Sequence, residues 1–445
     1  MIEEWITLTH VCRRWRTVVF QSPRRLNLRL LCTPETPTRD TLDIWPPFPL
    51  IIRCNVYGTR TLVKISSEDV DNIIAAIEHN DRVCEIDLDN LPGSQSNFVT
   101  NSAVMQKPFP ELTSLFLGGT VTSDCDGQIP DSFLGGNAPR LQSFFLHNTS
   151  FPGLSSLLSS ATQLVSLELS DIPLSGYIPP EEMTTALSAL TSLEYLCLDF
   201  RFPRPRLALE SRRPPPPSPT RYILPSLIRM LFKGNSEYFE GILPRLDTPQ
   251  LCEFHTTFFN RIIFDTPQLF QFISRQTLMV PEEVDIRFTS KTVIVKFPSQ
   301  TSDFGVLSVE ILCTASEWQL SSLGQVCTSS LPHVSTLEDL YIFEDREDPP
   351  RWQDDVENTL WLDLLHPFAA VKNLYLSEEF VPRIAPALQE LVGGRTTEVL
   401  PTLESIFLEG FQPSGPLHEG IEMFIAARQL INHPVIVSHW ARASK

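Results

Sequence analysis

Side chains that could carry out catalysis occur in this chain, but their spacing matches none of the common local catalytic motifs. Asp87 and Asp89 lie two residues apart on one face of a predicted strand, as a general acid and base could, yet paired acids on a strand are usually solvated. The sequence has no G-x-S-x-G, G-x-G-x-x-G, H-E-x-x-H or Walker-type lysine loop. We therefore expect no enzyme, no cofactor and no metal site. An enzyme whose site is assembled across the fold is the least favoured alternative.

The nine cysteines are too widely spaced for a zinc site or a dense disulfide framework. The closest pair, Cys313 and Cys327, is 14 positions apart, and no C-x-x-C motif occurs. The sequence also has no signal-peptide pattern and no apolar run of about 18 residues that would span a membrane. These features indicate free thiols in a reducing compartment, and we expect an intracellular protein, cytoplasmic or nuclear.

The charge balance disfavours two classes of partner. The chain has 35 Lys and Arg against 53 Asp and Glu, a net charge of −18. Basic charge supplies most of the affinity of proteins for nucleic acids and anionic membranes, so we expect neither as a partner. The charge is also segregated: residues 1–30 carry +4, residues 201–221 carry +5, and the rest of the chain carries −27.

One short pattern, apolar-x-x-apolar-x-apolar, recurs along most of the chain. Its second half predicts a strand, because alternate side chains of a strand face the same side. The eleven intervals between copies lie between 23 and 34 residues, with a mean of about 29, close to the upper end of the leucine-rich-repeat period. The middle apolar residues of the twelve copies are Ile86, Leu115, Phe144, Leu167, Leu196, Met230, Phe254, Val284, Val309, Leu340, Leu374 and Ile406.

Helical patterns lie between several of these strands. Residues 66–79 start with a possible capping box, Ser66 and Asp69, and continue with a single apolar stripe. Further helices are predicted at residues 180–190, 354–365 and 380–392. Neither a strand nor a helix of such a unit can bury its apolar side alone, so neighbouring units must stack.

This organisation resembles that of the leucine-rich-repeat proteins. We predict an α/β fold, a leucine-rich-repeat solenoid of about twelve irregular repeats over residues 66–431. Residues 33–65 are predicted as a connecting segment and residues 432–445 as a C-terminal tail. Residues 201–221, with seven Pro and six Arg, are predicted as an exposed, disordered insertion. Its Pro216-x-x-Pro219-x-Arg221 spacing suits an SH3-type groove, while an inert loop is the favoured alternative.

The first 32 residues differ from the repeats. Within them a helical stripe of apolar residues is predicted to pack, with Trp15 largely buried. The stripe consists of Trp5, Leu8, Cys12, Trp15 and Val19.

The string from Leu8 to Val19, LTHVCRRWRTVV, resembles the second half of an F-box. The chain as a whole is similar to fungal F-box-like proteins with C-terminal leucine-rich repeats. The resemblance implies that residues 1–32 bind the Skp-type adaptor of a cullin-RING ubiquitin ligase, while the repeats recruit the protein to be ubiquitinated. Val11, Cys12 and Trp15 match the family's core residues, and Arg16 matches its usual basic residue. The family's opening leucine–proline helix would precede Met1, so the expectation is an N-terminally truncated F-box.

The residues next to the middle apolar position should lie on the open side of the predicted sheet. The column just after it is aromatic in five of twelve copies, against 9% aromatics in the whole chain. These residues are Phe116, Phe145, Tyr341, Tyr375 and Phe407. We expect them in two clusters of neighbouring strands, Phe116 with Phe145 and Tyr341 with Tyr375 and Phe407, about 5 Å apart and partly exposed, where aromatic side chains commonly anchor partners. Burial under a loop or tail of the same chain is the alternative.

These features together favour a non-catalytic interaction protein. The preferred interpretation is a substrate-recruiting F-box-like subunit of a ubiquitin ligase. The alternative is a standalone leucine-rich-repeat scaffold without a ubiquitin-ligase link, in which the N-terminal helix caps the repeats.

Overall fold

The chain divides into two compact units. Unit 1 comprises Met1–Leu227 and Arg245–Pro249, and unit 2 comprises Ile228–Pro244 and Gln250–Lys445. The computed structural model describes residues 10–21, 28–44, 47–54, 66–88, 93–118, 127–203, 221–259, 262, 266–276, 283–298, 306–332, 334–352, 356–410 and 417–441. Each unit is a mixed α/β structure with a mostly parallel sheet.

The sheet of unit 1 has its strands in chain order, and the pairings between them are parallel. Its strands are β1 (Leu30–Cys32), β2 (Leu50–Arg53), β3 (Val83–Asp87), β4 (Ser114–Gly118), β6 (Ser143–His147), β8 (Ser166–Ile172) and β9 (Tyr195–Phe200). Two short parallel pairs lie outside this sheet: β5 (Gly127–Gln128) with β7 (Thr149–Ser150), and β10 (Tyr222–Ile223) with β12 (Leu246–Asp247).

The predicted repeat positions of unit 1 are direct neighbours in its sheet. Leu115 pairs with Phe144, Phe144 with Leu167, and Leu167 with Leu196. All four side chains are at most 1% exposed, because they form one continuous row in the core. The prediction of strands aligned at these positions is therefore confirmed in unit 1.

The helices of unit 1 include the clearest one predicted from the sequence. The helix at residues 67–77 begins at the capping box: Ser66 Oγ accepts a hydrogen bond from Asp69 N at 3.2 Å, and Asp69 Oδ2 accepts one from Ser66 N at 2.7 Å. The helices are α1 (Arg13–Gln21), α2 (Thr38–Ile44), α3 (Ser67–Ile77), α4 (Gly93–Thr100), α5 (Leu154–Ser160) and α6 (Pro180–Leu187).

The sheet of unit 2 departs from the chain order. Its strands are β11 (Arg229–Gly234), β13 (Glu253–Phe259), β14 (Glu283–Phe288), β15 (Thr292–Phe297), β16 (Leu307–Leu312), β17 (Asp339–Glu344), β18 (Asn373–Leu376), β19 (Ser405–Glu409) and β20 (Ile436–Trp440). The spatial order is β11-β13-β16-β15-β14-β17-β18-β19-β20, so β16 lies next to β13 and β14 lies next to β17. Among these strands β15 alone runs antiparallel to its neighbours.

This order corrects the prediction of about twelve consecutive repeats. Residues 289–292 form a tight turn, with Thr289 N donating to Thr292 O at 2.8 Å, and the chain reverses there instead of returning through a helix. As a result Val309 lies opposite Thr256 and Val295, and not beside Val284, the copy that precedes it in the predicted series. The uniform repeat number is not confirmed, although Leu340, Leu374 and Ile406 are aligned as predicted.

The helices of unit 2 cover one side of its sheet. Phe254 of β13 lies 5.3 Å, between ring centroids, from Phe272, and Phe288 of β14 lies 6.2 Å from Trp361. These contacts bury the core-facing residues of the strands. The helices are α7 (Ser236–Ile242), α8 (Pro267–Arg275), α9 (Ser316–Ser329), α10 (Asn358–Leu365), α11 (Val381–Gln389) and α12 (Glu419–Leu430).

Strands also occur outside the predicted repeat region of residues 66–431. β1 falls in the predicted F-box-like segment, β2 in the predicted connecting segment, and β20 in the predicted C-terminal tail. The sequence of β2, LIIR, is apolar at successive positions and therefore lacks the alternation that identified the other strands. Residues 204–220, most of the predicted insertion, lie outside the described residues.

Candidate partner-binding surface

Each sheet has a face opposite to its buried core, here called the open face. Along β17 the core-facing Leu340 and Ile342 are fully buried, whereas Tyr341 between them is partly exposed. The same alternation holds for Tyr375 on β18 and Phe407 on β19. The expectation that these aromatic side chains are partly exposed on the open face is therefore confirmed.

Three of the five predicted aromatic residues form one continuous stack in unit 2. Tyr341 pairs with Tyr375 across β17 and β18, and Tyr375 pairs with Phe407 across β18 and β19. The ring centroids of Tyr341 and Tyr375 are 4.1 Å apart with an interplanar angle of 11°, and those of Tyr375 and Phe407 are 4.5 Å apart at 9°. We call this set of three residues the aromatic ladder. Its spacing follows from the distance between neighbouring strands, about 4.8 Å.

A fourth aromatic residue, Trp440 on β20, contacts the aromatic ladder. Its ring centroid lies 5.8 Å from that of Tyr341 and 5.7 Å from that of Tyr375, and the Tyr375 contact is edge-on at 68°. Trp440 is itself partly exposed. Trp440 was not among the predicted residues because residues 432–445 were predicted as a tail, although IVSHW has the apolar and aromatic residues typical of a strand.

Carboxylates adjoin the ladder on the β14 side. Asp285 pairs with Tyr341, and Glu283 pairs with Asp339, the residue two positions before Tyr341. Asp339 Oδ1 accepts a hydrogen bond from Asn373 Nδ2 at 2.7 Å.

These surroundings shift the titration of both tyrosines. Burial first, and then Tyr375, Asp339 and Glu283, raise the pKa of the Tyr341 hydroxyl above its usual value of 10. Burial, with Asp339 and Glu283, also raises the pKa of Tyr375. Both hydroxyls are therefore neutral under physiological conditions.

The other two predicted aromatics, Phe116 and Phe145, are neighbours in unit 1. They pair across β4 and β6, with ring centroids 5.8 Å apart and an interplanar angle of 31°. The Phe145 ring is also nearly parallel to that of His147, at 8° and 6.3 Å. Both phenylalanines are partly exposed, so the predicted neighbourhood is present, but as a tilted pair rather than a stack.

The predicted adaptor-binding residues belong to α1 and the two residues before it. Val11 is 63% exposed and Trp15 is 49% exposed, so the prediction that Trp15 is largely buried is wrong. Cys12 and Arg16 are also exposed. Only the end of the helix packs: Val19 is fully buried, and the Phe20 ring lies 5.9 Å from that of Phe48. Trp5 and Leu8 of the predicted stripe lie outside the described residues.

The described cysteines are free thiols, and most of them are buried. The eight described cysteines are free, and burial raises the pKa of Cys54, Cys197, Cys313 and Cys327 to about 12. A thiol with such a pKa stays protonated and is a poor nucleophile. In the part of the chain that the structure describes, no group of three or more His, Cys, Asp or Glu could hold a metal ion.

Comparison with known proteins gives little further information. No family model matches the chain, and no curated protein matches it. One solved structure that it resembles is the leucine-rich repeat-containing protein LegL7 from Legionella pneumophila, at 13% identity and a TM-score of 0.27, covering 78% of this chain and 97% of that one. A TM-score this low does not establish a shared fold. The F-box and leucine-rich-repeat resemblances therefore stay predictions. No described helix is long and apolar enough to cross a membrane.

Proposed function

We propose that this protein is a non-catalytic, intracellular interaction scaffold that binds a partner protein through the open face of unit 2. The aromatic ladder is the observation that supports this proposal. It places three aromatic rings in register on a partly exposed sheet face. Aromatic side chains dominate the energetics of protein interfaces, and rings already stacked lose little conformational freedom on binding.

The open face of unit 1 contributes a second, smaller contact area in this proposal. Phe116 and Phe145 have the same position in the repeat as the ladder residues and the same partial exposure. Their looser, tilted contact at 5.8 Å makes them weaker anchors than the ladder.

A direct test compares capture of partner proteins by the full chain and by ladder variants. Tyr375→Ala and Phe407→Ala should each reduce recovery of the partner by about tenfold or more, because loss of an interface anchor costs about 2 kcal/mol. Phe270→Ala is the matched control, since Phe270 is 39% exposed on α8 of the same unit. Equal recovery by ladder and control variants would show that the ladder is not the binding surface.

We propose further that α1 is the adaptor-binding part of an F-box-like, leucine-rich-repeat protein, with a Skp-type adaptor as its partner. Trp15 and Val18 support this, because residues spaced i and i+3 share one side of a helix and both are about half exposed, while the 63% exposed Val11 lies just before α1. In this scheme the open face of unit 2 recruits the protein to be ubiquitinated.

The alternative is a scaffold without a ubiquitin-ligase link, in which α1 only caps unit 1. The buried Val19 and the contact between Phe20 and Phe48 favour that alternative. Binding of a purified Skp-type adaptor separates the two. An F-box-like protein should bind it, and Trp15→Ala should weaken binding without changing the melting temperature. Trp318→Ala is the control, because Trp318 has a similar exposure of 47% on α9. Absence of adaptor binding would favour the capping helix.

A further inference from the structure

The two units carry very different net charges. Unit 2 has 28 Asp and Glu against 15 Lys and Arg, which gives −13, whereas unit 1 has 25 against 20, which gives −5. Most of the chain's charge of −18 therefore belongs to the unit that carries the aromatic ladder. Such an imbalance creates a negative potential over the surface of that unit, which attracts cationic partners and repels anionic ones.

The negative charge is also local to the ladder. Asp339, Glu283 and Asp285 lie on the two strands at its β14 end, on the same open face. The hydrogen bond that Asp339 accepts from Asn373 comes from a neutral amide, which leaves the charge of the carboxylate in place. The carboxylates of Asp339 and Glu283 contribute to the raised pKa of Tyr341, because their negative charges disfavour ionisation of the nearby Tyr341 hydroxyl.

The basic residues near this end are engaged with acids of their own. Arg287 lies 3.6 Å from Asp345, and Arg346 lies 2.7 Å from Glu409, between nitrogen and carboxylate oxygen. Lys296 stands opposite Asp285 in the antiparallel register. The two arginines balance Asp345 and Glu409, and the unit as a whole keeps its excess of negative charge.

We propose that the open face of unit 2 docks a basic, extended segment of another protein, whose apolar side chains contact the aromatic ladder and whose Lys or Arg side chains face Glu283 and Asp339. This inference rests on the proposed function and adds the chemistry of the partner. An extended segment fits because its side chains on one side repeat every two residues, about 6.8 Å, a spacing that can reach both the rings and the acids beside them.

Synthetic peptides of about ten residues provide the probe. Three peptides share the same tryptophan-free neutral residues and differ only in whether Arg, Glu or Gln fills the charged positions. Binding to the full chain is measured by calorimetry at low and at high salt. The Arg peptide should bind at least about tenfold more tightly than the Glu peptide, and raising the salt concentration should reduce that ratio.

Variants of the full chain locate the binding site. The double variant Glu283→Gln, Asp339→Asn should weaken the Arg peptide about five- to tenfold, since two partly exposed charges that face the peptide are removed. The control variant Glu317→Gln, Glu422→Gln removes two exposed charges from helices of the same unit and should change binding less than about twofold. Tyr375→Ala should weaken the Arg peptide about tenfold or more.

Three results would overturn the inference. Equal binding of the three peptides, lost in Tyr375→Ala, would show an apolar docking face without charge preference and would leave the proposed function standing. Tighter binding of the Glu peptide, or no binding of the Arg peptide, would exclude a basic partner at this face, while the partner-capture experiment would still decide the proposed function. Equal weakening by the site and control charge variants, with no effect of Tyr375→Ala, would identify the binding as unspecific charge attraction.

Discussion

Removal of the middle ring of the aromatic ladder should cost more stability than its partial exposure implies. Tyr375 contacts Tyr341 at 4.1 Å and Phe407 at 4.5 Å. Stacked aromatic pairs contribute about 0.5–1.5 kcal/mol beyond the area they bury, so the two contacts amount to about 1–3 kcal/mol. Loss of the covered part of the ring adds about 1 kcal/mol. We therefore expect Tyr375→Ala to lower the free energy of unfolding by about 2–4 kcal/mol.

A double-mutant cycle isolates the stacking contribution. Tyr341→Ala, Tyr375→Ala and the double variant are compared by urea unfolding followed by circular dichroism, with separate transitions fitted if the two units unfold independently. The coupling energy between Tyr341 and Tyr375 should be about 0.5–1.5 kcal/mol. The same cycle for Phe116 and Phe145, whose tilted rings are 5.8 Å apart, should give a smaller value. A coupling between Tyr341 and Tyr375 within about 0.3 kcal/mol of zero would refute a ladder that is stacked in solution.

Three further predictions concern other parts of the chain. Trp15→Ala should lower the free energy of unfolding by less than about 1 kcal/mol, because the side chain is 49% exposed, and a loss of about 3–5 kcal/mol would instead mean that Trp15 is packed in solution. Arg428→Met should lower the free energy of unfolding, measured in denaturant, by about 2–4 kcal/mol. The fully buried guanidinium donates hydrogen bonds to the carbonyl oxygens of Pro401, Val399 and Leu400, and these oxygens would lose their partners. An unchanged denaturation midpoint would contradict this account. The tyrosines of the ladder should ionise above pH 10, so their contribution to stability is fully present below that pH and is lost as the pH rises through the raised pKa values. The chain has seven tyrosines, so the difference between the absorbance titrations of the full chain and of Tyr341→Phe isolates the Tyr341 hydroxyl, and a difference centred at pH 10 would contradict this account.

Local sequence patterns predicted the strands of the repeat copies, most of their aligned core residues and the aromatic ladder. Apolar alternation fixes which side chains of a strand share a face, and the repeat spacing fixes which strands become neighbours, so Tyr341, Tyr375 and Phe407 could be placed side by side in advance. The helix of residues 67–77 was predictable because its capping box is a local feature.

Features that depend on tertiary packing were not accessible in this way. The alternation in residues 292–297 indicates a strand but not its direction, so the reversal of β15 was missed. Helical periodicity likewise shows which side of α1 is apolar but not how much of it packs, which is why Trp15 was misplaced while Val19 was placed correctly. Trp440 was missed because a single strand without a following copy gives no repeat signal.

The reversed strand β15 has a consequence for how unit 2 acquires its structure. In a simple repeat protein each new segment can add to the one before it as soon as it is made. Here the neighbour of β13 in the sheet is β16, which is separated from it along the chain by the 47 residues between Phe259 and Leu307. These 47 residues must therefore be synthesised before a further strand can pair with the free edge of β13. The strand β14 that receives β17 is in turn held by β15. Strands β14, β15 and β16 therefore form a three-strand insert in the sheet, and the ladder-bearing strands β17 to β19 connect to β13 only through it. Duplication or deletion of one strand of this insert would reverse the direction of the strands that follow it, or turn their core-facing side chains to the open face. Changes in length during evolution should therefore be confined to the turns of the insert.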